Sequence, residues 1–236
     1  MGGIAFVPAT LMGITTTFAF MLEHGGLVEN IHTSTLLISI GVALIYFIGL
    51  IDDMFGLSAN LKFIVQLIAS LAFPLSGLYF NHLYGFLGIY EIPLWIGYAL
   101  TIFVTLLVVN SINLIDGIDG LSAGLSFIAL TGFLLCFLRE GIMAYCILIA
   151  GLMGILIPFM YFNIFGKAEK NRKIFMGDSG SLTLGFILGF LFVKFTMDNP
   201  NVRAFSPDSM MLAYSLLLVP VYDVIRVSLI RIKHHA

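Results

Sequence analysis

Charged residues are scarce in this sequence of 236 residues. Lysine and arginine total 11 and aspartate and glutamate total 13, so charges make up 10% of a chain that is 60% hydrophobic. A soluble domain carries roughly 25% charged residues. So few charges could not cover so apolar a chain in water, and a disordered chain would show the opposite balance. The shortage of charge excludes both classes and indicates an integral membrane protein.

Cysteine and excess positive charge are also missing. The two cysteines, Cys136 and Cys146, lie in apolar runs, which argues against a disulfide framework or a metal knuckle. The net charge is −2, so no basic surface indicates binding to nucleic acid.

Long apolar runs, by contrast, are abundant. A helix needs about 20 apolar residues to cross the hydrocarbon core of a membrane. We therefore expect an all-α, polytopic membrane protein of one domain, residues 1–236, with about eight transmembrane helices. The candidate spans are residues 4–22, 33–51, 63–80, 93–109, 121–138, 142–162, 181–193 and 209–222.

Eight spans place the connecting segments alternately on two sides, and the basic residues divide unequally between them. One side holds eight: Lys62, Lys167, Lys170, Arg172, Lys173, Arg226, Arg231 and Lys233. The other side holds three: Arg139, Lys194 and Arg203. Because cytoplasmic loops of membrane proteins are enriched in lysine and arginine, segments 52–62, 110–120, 163–180 and 223–236 are predicted to be cytoplasmic.

Two adjacent carboxylates, Asp52 and Asp53, end the second apolar run on this side. Negative charge at a helix C-terminus opposes the helix dipole, so a compensating cation is expected. A divalent ion and Lys62 are the two candidates. The alternative interpretation is a solvated pair of loop residues that only ends the helix.

Four oxygen-bearing side chains recur at every third position between the fourth and fifth runs: Asn110, Asn113, Asp116 and Asp119. On a helical turn this spacing puts them on one face. Such hard oxygen ligands suit Mg²⁺ or Mn²⁺. A turn rich in Asn, Asp and Gly would explain the composition without a ligand, but not the strict spacing.

A glycine-rich turn, Phe175-Met176-Gly177-Asp178-Ser179-Gly180-Ser181, opens the seventh run. Asp178 and Ser179 are good helix N-cap residues, and free N–H groups at a helix N-terminus also attract phosphate. With the earlier segments this turn predicts an acidic cytoplasmic cluster that needs metal or lysine partners. Such a cluster at the lipid interface suits chemistry on a pyrophosphate whose reaction partner is dissolved in the bilayer.

These three segments, in this order, resemble the polyprenyl-phosphate N-acetylhexosamine-1-phosphate transferases. The resemblance runs from Met1 to about Arg231. It implies transfer of a sugar 1-phosphate from a UDP-sugar to undecaprenyl phosphate, with release of UMP and dependence on Mg²⁺, for which Mn²⁺ can substitute. It also implies a bacterial inner-membrane protein with a cytoplasmic active site and leaves a homodimer open.

The resemblance further implies roles for single residues. Asn113 and Asp178 match the metal ligands of the family. Asp52 or Asp53 would orient or deprotonate the attacking lipid phosphate, and Lys62 would bind a phosphate. Asp116, Asp119 and Asn110 would contact the nucleotide or line the site. Direct attack by the lipid phosphate is favoured over a double displacement through an aspartate.

Two departures from the family pattern concern the ends of the chain. Family members usually carry a further helix before the opening Gly-Gly and a histidine-containing loop after the position of Arg231. We therefore expect a fragment that lacks both ends. The sequence of the 175–181 turn looks more like the members that use UDP-N-acetylglucosamine than like the phospho-MurNAc-pentapeptide translocase.

Two other classes of membrane protein use intramembrane carboxylates or aspartate-rich turns. A cation-coupled transporter would carry its acids near mid-span and show repeated halves. An intramembrane prenyltransferase would carry paired Asp-x-x-x-Asp segments. The sequence shows neither pattern.

Overall fold

The computed structural model describes residues 2–12, 33–86, 88–167, 169, 172–197 and 207–235. Six of the described helices are long and apolar enough to cross a membrane, which confirms an all-α polytopic protein. Two shorter apolar helical stretches, Gly3–Met12 and Ala59–Leu75, lie where the sequence predicts further spans, so the predicted count of eight is not confirmed. The first predicted span extends to residue 22 and lies partly outside the described residues, as do Lys170 and Arg203.

The described elements follow one another as helices, with one short hairpin. Helix α1 is Gly3–Met12 and begins with a 3₁₀ turn, Gly3–Ala5. The remaining elements are α2 (Thr33–Phe55), α3 (Ala59–Ser70), α4 (Ala72–Leu75), β1 (His82–Phe86), β2 (Ile89–Glu91), α5 (Leu94–Ile115), α6 (Leu121–Arg139), α7 (Met143–Phe165), α8 (Gly177–Thr196) and α9 (Pro207–His235).

Helix α8 forms the core of the bundle, and 94% of the residues in its apolar stretch are buried. Helices α2 and α5 flank it, and glycines permit the close approach. A Cβ added to Gly49 of α2 would lie 2.6 Å from Cα of Ser179, and one on Gly185 would lie 2.8 Å from Cα of Val109 in α5. Since lipid gives helices no hydrophobic reason to associate, this backbone proximity is how the bundle gains packing energy.

The predicted third span is interrupted rather than continuous. Helix α3 ends at Ser70, the single turn α4 contains Pro74, and Gly77 follows with φ +79°. The chain then enters the antiparallel hairpin, in which His82 pairs with Glu91 and Phe86 with Ile89. Proline removes a backbone donor and glycine allows the left-handed turn, so the helix cannot continue here.

Several helix ends meet at one end of the bundle. Side-chain contacts join the C-terminal ends of α2 and α5 to the N-terminal ends of α3 and α8. Asn163 near the end of α7 contacts Gly120, which immediately precedes α6. This end of the bundle carries all the segments that the sequence singles out.

Candidate active site

An ion cluster joins the ends of three helices. The ammonium group of Lys62 in α3 lies 2.9 Å from Oδ2 of Asp52 in α2 and 2.8 Å from Oδ2 of Asp178 in α8. Asp52 also accepts a 2.6 Å hydrogen bond from the Leu57 N–H, which fixes the turn between α2 and α3. The Asp52–Lys62 contact agrees with the expectation that a cation compensates this acidic helix end.

Asn113 holds the other side of Asp178. Its Nδ2 donates to Oδ1 of Asp178 at 3.0 Å and to Oγ of Ser181 at 2.9 Å. One amide group thereby fixes the end of α5 against the first turn of α8. The two residues predicted to bind the metal are therefore in direct contact.

Asp53 binds the N-terminus of α8. Its Oδ1 accepts from the Asp178 N–H at 2.7 Å, and its Oδ2 accepts from the Ser179 N–H at 3.1 Å and the Ser179 hydroxyl at 2.6 Å. The first N–H groups of a helix have no partner within it, so a carboxylate from α2 serves as their cap. The expectation that these N–H groups are free for phosphate is therefore wrong at Asp178 and Ser179, because Asp53 occupies them.

Gly177 makes this close approach possible. A Cβ at this position would lie 2.7 Å from Oδ1 of Asp53, and its φ is +71°. Only glycine combines the left-handed backbone with the missing side chain. The glycine in the 175–181 turn is thus explained by contact with Asp53.

Asp116 directly follows α5 and is partly buried beside the cluster. Burial raises the pKa of its carboxyl group to about 7, and the negative charges of Asp178, Asp53 and Asp119 act in the same direction. Hydrogen bonding from the Gly177 backbone partly offsets the rise in pKa. Asp116 can therefore exchange a proton near neutral pH.

The predicted stripe of four oxygen-bearing side chains is divided. Asn110 and Asn113 share a face of α5, but the helix ends at Ile115, and the chain turns before Asp119. Asp119 is more exposed and forms an ion pair with Lys173. The prediction of one continuous helical face is therefore wrong, because the two Asp-Gly pairs end the helix instead of extending it.

A cleft of about 450 Å³ opens between α3, α5 and α9 beside the ion cluster. At its wall, Asn110 donates from Nδ2 to Oε1 of Gln66 at 2.8 Å. The lining is mostly polar and includes residues more than a hundred positions apart in sequence: Ala59, Asn60, Lys62, Phe63, Gln66, Asn110, Asn113 and Arg231.

Asn163 is a site-supporting residue that the sequence does not single out. It is 5% exposed, its Oδ1 accepts from the Gly120 N–H at 2.6 Å, and its Nδ2 donates to the Ile174 carbonyl at 2.8 Å. It therefore joins the segment after Asp119 to the segment before Asp178. The signal in the sequence is a lone amide in the apolar run 142–165.

The opening glycines also support the site. The N–H groups of Gly2 and Gly3 donate to the carbonyls of Phe175 and Met176, at 2.6 and 3.0 Å. A side chain on Gly3 would collide with the Met176 carbonyl and the Gly180 backbone. The start of α1 thereby packs directly on the 175–181 turn.

Metal-binding capacity is limited in the part of the chain that the structure describes. No group of three or more His, Cys, Asp or Glu side chains there converges to bind a metal ion. The Asp178–Asn113 pair supplies one carboxylate and one amide, while Asp52, Asp119 and Asp53 are held by Lys62, Lys173 and the α8 N-terminus, respectively.

Comparison with known proteins identifies the family. The model of glycosyl transferase family 4 matches residues 35–196. The chain belongs to this family. The matched range contains all eight residues that the sequence predicts for the site, including the acidic pair of α2 and the first turn of α8.

Among the relatives of this family 4 chain are three bacterial proteins. It is 29% identical to the undecaprenyl-phosphate alpha-N-acetylglucosaminyl 1-phosphate transferase of Yersinia pestis, over 80% of this chain and 51% of the relative. It is 31% identical to the probable undecaprenyl-phosphate N-acetylglucosaminyl 1-phosphate transferase of Bacillus subtilis, over 81% and 49%. It is 27% identical to the undecaprenyl-phosphate alpha-N-acetylglucosaminyl 1-phosphate transferase of Escherichia coli K12, over 94% of this chain and 60% of the relative. The chain thus spans about half to three fifths of their length.

Proposed function

We propose that this protein transfers N-acetylglucosamine 1-phosphate from UDP-N-acetylglucosamine to undecaprenyl phosphate and releases UMP. The reaction would start a cell-envelope glycan at the cytoplasmic face of a bacterial inner membrane. The relatives' names support the kind of reaction. The observation that carries the proposal is the Asp52–Lys62–Asp178 cluster, which lies beside a polar cleft at the ends of membrane-spanning helices.

The cluster supplies charge where phosphoryl transfer needs it. As an oxygen of the lipid phosphate attacks the sugar-bearing phosphorus, the bond to the UMP oxygen breaks and UMP leaves with the negative charge. Catalysis of such a transfer is mainly positioning and electrostatic stabilisation. Lys62, which lines the cleft, would bind a phosphate while Asp52 and Asp178 hold its ammonium group in place.

The remaining residues would divide positioning and proton transfer between them. Asp52 would orient the acceptor phosphate and take its proton if it arrives protonated. Asp53 already accepts three hydrogen bonds, so we assign it to positioning of the α8 N-terminus. Asp116, with its pKa near 7, and Asn110 and Asp119 would line the nucleotide side.

Mg²⁺ is part of the proposal. Mg²⁺ is commonly bound through one or two carboxylates together with substrate phosphates, rather than in a cage made of protein alone. The contact between Asp178 and Asn113 fits that mode, and these two residues would hold the ion. When bound, it would neutralise charge on the pyrophosphate.

The test uses the full-length protein in membranes, with UDP-N-acetylglucosamine, undecaprenyl phosphate and Mg²⁺. We expect UMP release that requires both the lipid and the metal. Asp178→Asn should lower turnover by about 100-fold or more, because the variant loses the carboxylate that would hold Mg²⁺ and that fixes the Lys62 ammonium group. Asp223→Asn, which alters an acid paired with Arg226 outside the cleft, should retain activity.

Donor choice is tested in the same membranes. We expect N-acetylglucosamine to be preferred over other UDP-N-acetylhexosamines and over UDP-MurNAc-pentapeptide. Use of the pentapeptide donor would assign the protein to the translocase type. A lack of lipid product with every UDP-sugar would contradict the proposed function.

A further inference from the structure

A second, smaller recess lies at the same end of the bundle, outside the ion cluster and its cleft. It has a volume of about 170 Å³ and forms where α7 ends. Three aromatic residues, one glycine and two cationic residues surround it: Tyr161, Phe162, Phe165, Gly166, Lys167 and Arg172. None of these residues belongs to the proposed transfer site.

The backbone brings the two cations together. After α7 the chain folds back, and the Arg172 N–H donates to the Lys167 carbonyl at 3.2 Å. Gly166 is required for this return, because a side chain there would collide with the Phe162 carbonyl and would lie 2.5 Å from the Arg172 carbonyl. The proximity of Lys167 and Arg172 therefore results from the fold, and not only from the abundance of basic residues in this segment.

Among the described residues, neither Lys167 nor Arg172 forms an ion pair, whereas the nearby Lys173 is paired with Asp119. The whole chain has a net charge of −2, so the overall charge of the protein does not attract anions to this recess. An anion would therefore be attracted by this local pair.

The aromatic residues indicate the depth of the recess in the membrane. Tyr161, Phe162 and Phe165 are 62%, 42% and 70% exposed, and they occupy the last turns of a helix long enough to span. Aromatic side chains collect at the level of lipid headgroups, and basic pockets beside membrane helices bind anionic headgroups there. A soluble inorganic anion such as phosphate would gain nothing from exposed aromatic rings.

We propose that this recess binds the phosphate headgroup of an anionic phospholipid from the leaflet at this end of the bundle. Lys167 and Arg172 contact the phosphate, and the rings of Tyr161 and Phe165 lie against the glycerol and upper acyl region. The bound lipid would sit at the start of the segment that leads through Lys173 to Asp178.

The experiment measures lipid binding without sugar transfer, so its result is independent of the proposed function. The full-length protein is placed in phosphatidylcholine nanodiscs containing a minor fraction of phosphatidylglycerol, and the lipids that remain bound are counted by native mass spectrometry. We expect the wild type to retain phosphatidylglycerol preferentially. Lys167→Gln/Arg172→Gln should reduce that preference about tenfold, since each cation near a membrane surface contributes to anionic-lipid binding.

The matched control removes two cations elsewhere, with Arg226→Gln/Lys233→Gln. We expect this control, and the charge-preserving Lys167→Arg/Arg172→Lys variant, to bind lipid like the wild type. An equal loss in the control would reduce the effect to net charge and overturn the site. Retention of the preference by the Gln pair, or displacement of the lipid by inorganic phosphate, would also overturn it.

Discussion

At the scale of single residues, the site is defined by how its carboxylates are neutralised. Asp52 and Asp178 share the ammonium group of Lys62, whereas Asp53 caps the N-terminus of α8. Asp119 pairs with Lys173 outside the cluster. These carboxylates are thus neutralised in three different ways, and the partner indicates the role.

Lys62 is the residue whose loss should affect the site most directly. Lys62→Gln leaves Asp52 and Asp178 without their shared cation, and it removes the positive charge that would meet substrate phosphate. We expect turnover to fall by about 100-fold, with recovery of part of it in Lys62→Arg. Initial rates of UMP release at saturating substrate measure the effect.

Lys233→Gln is the control for this change, because Lys233 is an exposed lysine of α9 that does not line the cleft. It should leave the rate unchanged. Near-normal turnover in Lys62→Gln would remove Lys62 from the mechanism.

Asp116 predicts a pH dependence of stability. Its pKa is raised from 3.8 to about 7, so the folded protein holds the proton more tightly than the unfolded chain. The resulting stabilisation is present below about pH 4 and is lost as the pH rises to about 7. Asp116→Asn should remove this loss, so its Tm, measured in detergent with a chelator present, should decline less over that range. Equal declines in both proteins would contradict the assignment.

Sequence could predict some of these partners and not others. The acidic end of α2 called for a cation, and Lys62 lies only ten positions from Asp52. The capping contact of Asp53 joins groups 125 positions apart, and no local pattern carries that information. Asn163 was missed for the same reason, since its partner Gly120 lies 43 positions away.

At the scale of elements, α8 organises the site because it is buried against both α2 and α5. Its first turn carries Asp178 and Ser181, and Gly49 of α2 lets it approach Asp53. The packing of α8 therefore affects the site directly, since a shift of its N-terminal end would move the acidic cluster.

Gly49→Ala tests that coupling. The added Cβ would lie 2.6 Å from Cα of Ser179 and 2.7 Å from the Asp178 carbonyl, so the helices must separate. We expect a loss of about 1–3 kcal/mol in unfolding free energy, as for overpacked cores, together with reduced turnover. Thermal unfolding in detergent and the transfer rate provide the two readouts.

Gly154→Ala is the matched control for Gly49→Ala. Gly154 lies inside α7, and a Cβ there meets nothing within 4 Å. Alanine should be tolerated or should slightly stabilise this helix. Similar losses in both variants would show that the α2–α8 contact is not responsible.

The lengths of the apolar runs predicted most helices, but they failed where proline or glycine interrupts a run or where a polar turn is helical. Runs of about 20 residues became α2, α5, α6 and α7. The run at 63–80 has the same composition, yet Pro74 and Gly77 interrupt it. The run at 181–193 was too short because its polar first turn, Gly177–Gly180, is also helical.

At the scale of the whole molecule, the charge distribution predicts an orientation. The polar site and the β1–β2 hairpin lie at opposite ends of α5, so they should face opposite sides of the membrane. The basic residues predict that the site end is cytoplasmic.

Labelling of introduced cysteines tests this orientation. In a background without Cys136 and Cys146, Glu91→Cys should react with a membrane-impermeant maleimide in spheroplasts. Lys233→Cys, at the site end, should react only after permeabilisation. The reverse pattern would contradict a cytoplasmic site.

In the proposed reaction a sugar 1-phosphate, and not a sugar alone, is transferred to the lipid. The most direct measurement gives the full-length protein UDP-N-acetylglucosamine that carries one label in the sugar and another in the adjoining β-phosphorus. We expect both labels to enter the undecaprenyl product in equal amounts and unlabelled UMP to be released. Release of the phosphorus label as UDP, with only the sugar label in the lipid, would contradict it.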